Sequence, residues 1–161
     1  MKTAIVYVSN HGTTEKVAQL IKNEMGGNSI AVFNLRNDKI TDLAQYDCII
    51  IGGSIHAGFI QKRIRKFCEE QMVILLQKRI ALFICCMNEP EAQAEFERAF
   101  PELLRSHATS KKIIGGEFLF DKMNFLEKIL VKKIGGVTQS VSRIDEGKIR
   151  ELVNELKDLK M

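Results

Sequence analysis

The chain has 161 residues, 45% of them hydrophobic and 27% charged, with two prolines and a formal net charge of +4. That is enough apolar material for the core of one ordinary domain, expected to span 1–161, and too much for a disordered chain. No apolar run reaches the roughly 18–20 residues of a membrane span, the first apolar stretch is too short for a signal peptide, and the mild basic excess lacks the stripe with interleaved aromatics of a nucleic-acid binder.

Residues 3–8 read as a first strand. Ser9-Asn10-His11-Gly12-Thr13-Thr14 follow as a hydroxyl-rich turn, and 13–25 read as a helix with an apolar stripe of Val17, Ala18, Leu20, Ile21 and Met25. Gly26-Gly27 ends it. Residues 29–35 form a second strand and 48–51 a third, continuously apolar as in a parallel sheet covered on both faces. Residues 52–58 form a loop, 61–77 a helix, and Arg79 to Cys86 a fourth strand. After the loop at 87–90 comes a helix at 91–105, which Pro101 should kink or split. Lys112 to Phe120 reads as a fifth strand, with Gly115-Gly116 marking a bulge or a close approach. A basic amphipathic helix at 121–134 and a last helix from 145 to 159 complete the pattern.

Strands alternating with helices build βαβ units. The expected fold is α/β: a doubly wound, five-stranded parallel sheet with helices on both faces. Ligands in such sheets bind beyond the carboxyl ends of the strands, where the loops 9–14, 54–58 and 87–90 converge. The first loop is neither a Walker motif nor G-x-G-x-x-G. Its hydroxyls and the start of a helix fit one terminal phosphate monoester. Ser9, Thr13 and Thr14 can each donate to a phosphate oxygen.

Cys48, Cys68, Cys85 and Cys86 have no C-x-x-C or zinc-ligand spacing. They read as buried reduced thiols of a cytoplasmic protein, and no metal site is expected.

The phosphate loop resembles that of the flavodoxins, whose pattern is Thr/Ser-x-Thr-Gly-x-Thr; His11 stands where a hydroxyl is usual. The resemblance implies a flavodoxin-like sheet of strand order 2-1-3-4-5 and FMN as cofactor, with Ser9, Asn10, His11, Gly12, Thr13 and Thr14 around its phosphate. Ser54, Ile55, His56, Ala57 and Gly58, together with Cys86, Met87, Asn88 and Glu89, would flank the ring. Within the superfamily the chain is similar to the menaquinone-dependent protoporphyrinogen IX dehydrogenases in three places: residues 46–58, residues 83–88, and Gly115-Gly116 with the basic helix and Gly135-Gly136-x-Thr138. That branch implies a quinone, or else a redox protein, as electron partner. The alternative is a flavodoxin that carries electrons between redox partners.

The glycines and small residues of 52–58 should let backbone approach the ring, with an N–H toward N5 or O4. Asn88 would meet the pyrimidine edge, and Met87 the ring face. Glu89 sits near the ring or simply starts the next helix. With no Trp in the chain, only His56 and Phe59 could stack, so the ring face should be more open than in a carrier. Phe59 has a second reading as a core anchor. No residue stands out as a catalytic acid or base. The helix at 121–134, with its lysines, either packs on the sheet or meets a membrane or quinone pool from the cytoplasmic side. The oligomeric state is left open.

Overall fold

The computed structural model describes residues 1–118, 125–135 and 141–158. Five parallel strands form the sheet: β1 (Thr3–Tyr7), β2 (Ile30–Asn34), β3 (Cys48–His56), β5 (Arg79–Cys85) and β6 (Ser110–Ile113), in the order β2-β1-β3-β5-β6. Counting those five alone, this is the expected 2-1-3-4-5 order. The register pairs Ile5 with both Val32 and Ile50, and Ile50 with Ala81.

Side chains alternate across a strand, so the sheet divides the core in two. Ala4, Val6, Ile49, Ile51, Leu82 and Ile84 face one layer of helices. These are α2 (Lys62–Glu70), α3 (Met72–Leu75), α4 (Ala92–Ala99) and α5 (Glu102–His107). Ile5, Ile50, Ala81 and Phe83 face α1 (Thr13–Met25) and α7 (Glu146–Asp158), which bury Val17, Ile21, Leu152 and Leu156 against them.

Pro101 separates α4 from α5 as a split rather than a bend. Its ring removes an N–H and excludes the preceding residue from helical geometry. The helix expected at 61–77 is likewise two pieces, broken at Gln71. All four cysteines are buried and free, and burial pushes their thiols up to about 12.

Three expectations change. The third strand does not stop at Ile51: β3 continues to His56, pairing with β5 as far as Ser54, and then folds back antiparallel onto β4 (Phe59–Ile60). The expected loop 52–58 is thus a strand end with a two-residue turn, Ala57-Gly58, both at positive φ (49° and 84°). That is the type I′ hairpin turn, whose twist matches the strands.

The fifth strand also does not run from 112 to 120. β6 covers Ser110–Ile113. The chain turns at Gly115 (φ 81°), and β7 (Glu117–Phe118) pairs antiparallel with β8 (Val141–Ser142), a strand the sequence reading lacked. A Cβ at Gly115 would overlap the Arg143 carbonyl, which is the close approach the glycine pair signalled.

The basic helix, α6, covers Phe125–Gly135. Residues 119–124, Gly136, Thr138 and residue 159, which entered the expectations for this region and the last helix, lie outside the described residues. No helix among the described residues is long and apolar enough to cross a membrane.

Candidate functional site

Three chain segments meet beyond the carboxyl ends of β1, β3 and β5. The first joins β1 to α1. Gly12 caps the helix in the left-handed region (φ 93°), and its N–H donates to Ser9 Oγ at 2.9 Å. Ser9, Thr13 and Thr14 are buried, His11 and Gly12 half-buried, Asn10 exposed. No side chain caps the helix, so first-turn amides stay available to an anion. Thr14 Oγ1 is buried beside the Cys85 thiol and has no partner of hydrogen-bonding geometry among the described residues. A buried hydroxyl without a partner costs about 1–3 kcal/mol. Its presence at an uncapped helix start fits a phosphate ester, which would supply the missing acceptor.

The second segment is the β3–β4 hairpin, which is closed on itself. Ser54 N–H donates to Gln61 Oε1 at 3.2 Å, Gln61 Nε2 donates to Ser54 Oγ at 2.8 Å, and that oxygen lies 3.0 Å from His56 Nε2. Ile55 packs against the core. The His56 ring lies edge-on to His11, centroids 6.0 Å apart. One edge reaches solvent, but the enclosure of the rest of the ring, and then the charge His11 would carry, lower its pKa; Glu127 opposes them. Arg98 donates to the Gly58 carbonyl at 3.5 Å, Ala57 is exposed, and Phe59 stands 59% exposed at the tip. It is not a core anchor.

The glycines before the hairpin have another purpose than the one expected. A Cβ at Gly52 would overlap the buried Phe83 ring, and one at Gly53 would crowd Gln61 and Ile60. Both are packing positions.

The third segment follows β5. Cys86 is buried; its N–H donates to the Gly115 carbonyl at 2.9 Å and its thiol to Glu95 Oε2 at 2.7 Å. Burial, then that carboxylate, raise the thiol to about 12. Met87 is half-buried, and Asn88 and Glu89 are exposed. Glu89 opens the 3₁₀ turn Glu89–Glu91, its second expected reading.

Several residues around the site escaped the sequence reading. Glu95 is 4% exposed on the inner face of α4; its signal was a carboxylate inside the stripe Ala92, Phe96, Ala99. Glu117 accepts from Lys16 (2.8 Å), Ser142 (2.9 Å) and Thr13 (3.4 Å). Burial raises its pKa, but the Lys16 and Ser142 bonds outweigh this and the net shift is downward. Arg36 Nη1 reaches the Ser9 carbonyl at 3.5 Å, and Glu127 Oε2 lies 3.0 Å from His11 Nε2. Glu117, Arg36 and Glu127 join distant segments, and no local pattern announces them.

A separate cavity of about 560 Å³ lies at the outer edge of β6. Its Lys112 and Lys148 bond Glu151 and Glu155, and Arg105 donates to the Phe100 carbonyl.

Residues 4–145 match the Flavodoxin_5 family, a flavodoxin domain. The chain belongs to this flavodoxin family. A curated flavodoxin of Synechocystis sp. is 38% identical over 52 residues, a match that spans 32% of this chain and only 31% of that protein. The flavodoxin-family chain is similar in fold to a short-chain flavodoxin associated with a non-canonical PDU bacterial microcompartment (TM-score 0.63, 14% identity, 100% of each chain). It is also similar to a Fusobacterium nucleatum flavodoxin variant bound to flavin mononucleotide (TM-score 0.54, 12% identity, 98% of this chain and 95% of that one).

Proposed function

We propose that this flavodoxin-family chain binds FMN and works as an FMN-dependent oxidoreductase of the protoporphyrinogen dehydrogenase type, with a quinone as electron acceptor. When bound, FMN supplies the redox chemistry; the protein sets its affinity, its potential and access to it. Thr14 Oγ1, Thr13, Ser9 and the first amides of α1 hold the phosphate. The Ala57-Gly58 turn, with Met87 and Asn88, borders the ring. The buried Glu95, two side chains away through Cys86, keeps a carboxyl group beneath the loop.

The observation that carries the enzyme reading over a simple carrier is α6. It exposes Leu126 (75%) and Ile129 (47%) together with Lys132 and Lys133, on a helix tied to the phosphate loop through Glu127. An apolar and basic face suits an anionic membrane surface and the quinone it contains. Phe59 is the one large aromatic at the hairpin, which leaves the ring face open to a bulky substrate.

The test is oxidation of protoporphyrinogen by purified, FMN-loaded protein, with and without menaquinone. Quinone-dependent turnover is expected. FMN release on denaturation with no turnover, and two well-separated one-electron steps in a potentiometric titration, would instead assign the carrier role, which the Synechocystis flavodoxin favours. Protein that neither contains nor takes up FMN would sink both readings.

A further inference from the structure

We propose that His11 is the cation of the phosphate site: with Glu127 of α6 on one side and a phosphate dianion on the other, the ring is held as the imidazolium, so that binding of the dianion takes up a proton. The inference rests on the FMN reading above and adds what the loop lacks by sequence, a positive charge among its donors.

His11 occupies the third position of the loop, between Ser9 and the uncapped start of α1. Its side chain is 17% exposed, and Nε2 sits 3.0 Å from a Glu127 oxygen. A carboxylate at that distance accepts the Nε2 proton and thereby fixes the ring. In a neutral imidazole the other nitrogen is then an acceptor, which a dianion in the loop would repel. With an anion on each side only the imidazolium satisfies both, each nitrogen donating to one of them. Histidine is the side chain whose ordinary titration range makes this change available near neutral pH.

Among the described residues the neighbouring charged groups are engaged elsewhere, Lys128 of α6 included. From β3, His56 lies 6.0 Å away, centroid to centroid, and its own protonation is disfavoured by burial and by His11. From α1, Lys16 is neutralised by Glu117 of β7 at 2.8 Å, and Glu15 accepts from Tyr7. From beyond β2, Arg36 meets the loop at the Ser9 carbonyl, 3.5 Å away. None of these replaces an imidazolium inside the loop. The ion pair also runs from the loop to α6, so occupancy of the phosphate site strengthens the tie to the helix that carries the exposed apolar face.

The experiment is calorimetric titration of the full chain, freed of flavin, with FMN and with riboflavin at pH 7.5, in buffers of different ionisation enthalpy. FMN binding is expected to take up a substantial fraction of a proton and riboflavin binding none. FMN affinity is expected to fall several-fold from pH 6.5 to 8. His11→Gln should still bind FMN, with the uptake and most of that pH dependence gone; it also reports the phosphate's own titration. Glu127→Gln should move the pH dependence of FMN binding to lower pH while leaving riboflavin binding unchanged. Equal proton uptake in wild type and His11→Gln overturns the inference and leaves the FMN reading intact. Wild-type protein that binds no FMN at any pH overturns that reading, and this one with it.

Discussion

The phosphate loop and the β3–β4 hairpin look alike in sequence: each follows an apolar strand and mixes glycine with hydroxyls and a histidine. In the structure they are opposites. The first leaves a donor unused, with Thr14 Oγ1 buried without a partner and α1 uncapped among the described residues. The second spends its polar groups on itself, through Ser54, Gln61 and His56, and its glycines on packing. Thr3 and Ser110 also carry buried hydroxyls without partners among the described residues, but only Thr14 sits at an uncapped helix start, where a ligand's polar group would belong. Spent donors and filled glycines mark a rigid wall beside it.

The largest way to break this contrast is Gly52→Ala. The added methyl would overlap the Phe83 ring, which is fully buried and has nowhere to move; the expected loss is about 3 kcal/mol of unfolding free energy, read by urea denaturation. Unchanged stability would mean that the glycine serves access to the ring after all.

Thr14→Val tests the other side. It removes a hydroxyl that has only the Cys85 thiol beside it among the described residues, so stability should change little. The hydrogen bond to a charged phosphate, about 1.5–3 kcal/mol, should be lost, lowering FMN affinity about ten- to a hundredfold with riboflavin affinity unchanged. Gln61→Ala should cost about 1–2 kcal/mol of stability by orphaning the Ser54 amide, with an equal effect in flavin-free and flavin-loaded protein.

A pH titration sharpens the comparison at the loop's outer wall. Glu117 has a folded pKa below its unfolded value. Its contribution is present above the ordinary carboxylate range and is lost as pH falls through the folded value, below about 4.5. Glu117→Gln should therefore lower stability at neutral pH and flatten the acid limb of a plot of stability against pH.

The smallest expected effect is a gain. Ala57 sits at φ 49°, a region that costs a non-glycine residue roughly 1 kcal/mol. Ala57→Gly should raise stability by somewhat less than that, since glycine also gains freedom in the unfolded chain.

Most of the fold was legible because it repeats a local rule. Val17, Ala18, Ile21 and Met25 announce α1 to the residue, Thr13–Met25, and the unbroken apolar run of β3 announces a strand covered on both faces. Pro101 announces the split between α4 and α5. What failed did so at strand ends. Gly52-Gly53 reads as a loop because glycine is a turn residue by composition, yet here it is the only residue small enough to lie under Phe83 and beside Gln61. Gly115 was read inside a strand, and it ends one, because a carbonyl from Arg143 needs the space.

The sequence alone determined the strands and helices of the sheet, the helix start with its hydroxyls, and the family with its strand order, since the first two rest on residues close in the chain or on a repeating pattern and the last on motifs that resemble a known family. Only the tertiary structure decided which of those hydroxyls remain unpaired, which glycines are filled, and that Glu117 and Glu127 come to lie against the loop from 104 and 116 residues away. Polar groups are satisfied or left open by neighbours in space, and the order of residues does not name those neighbours.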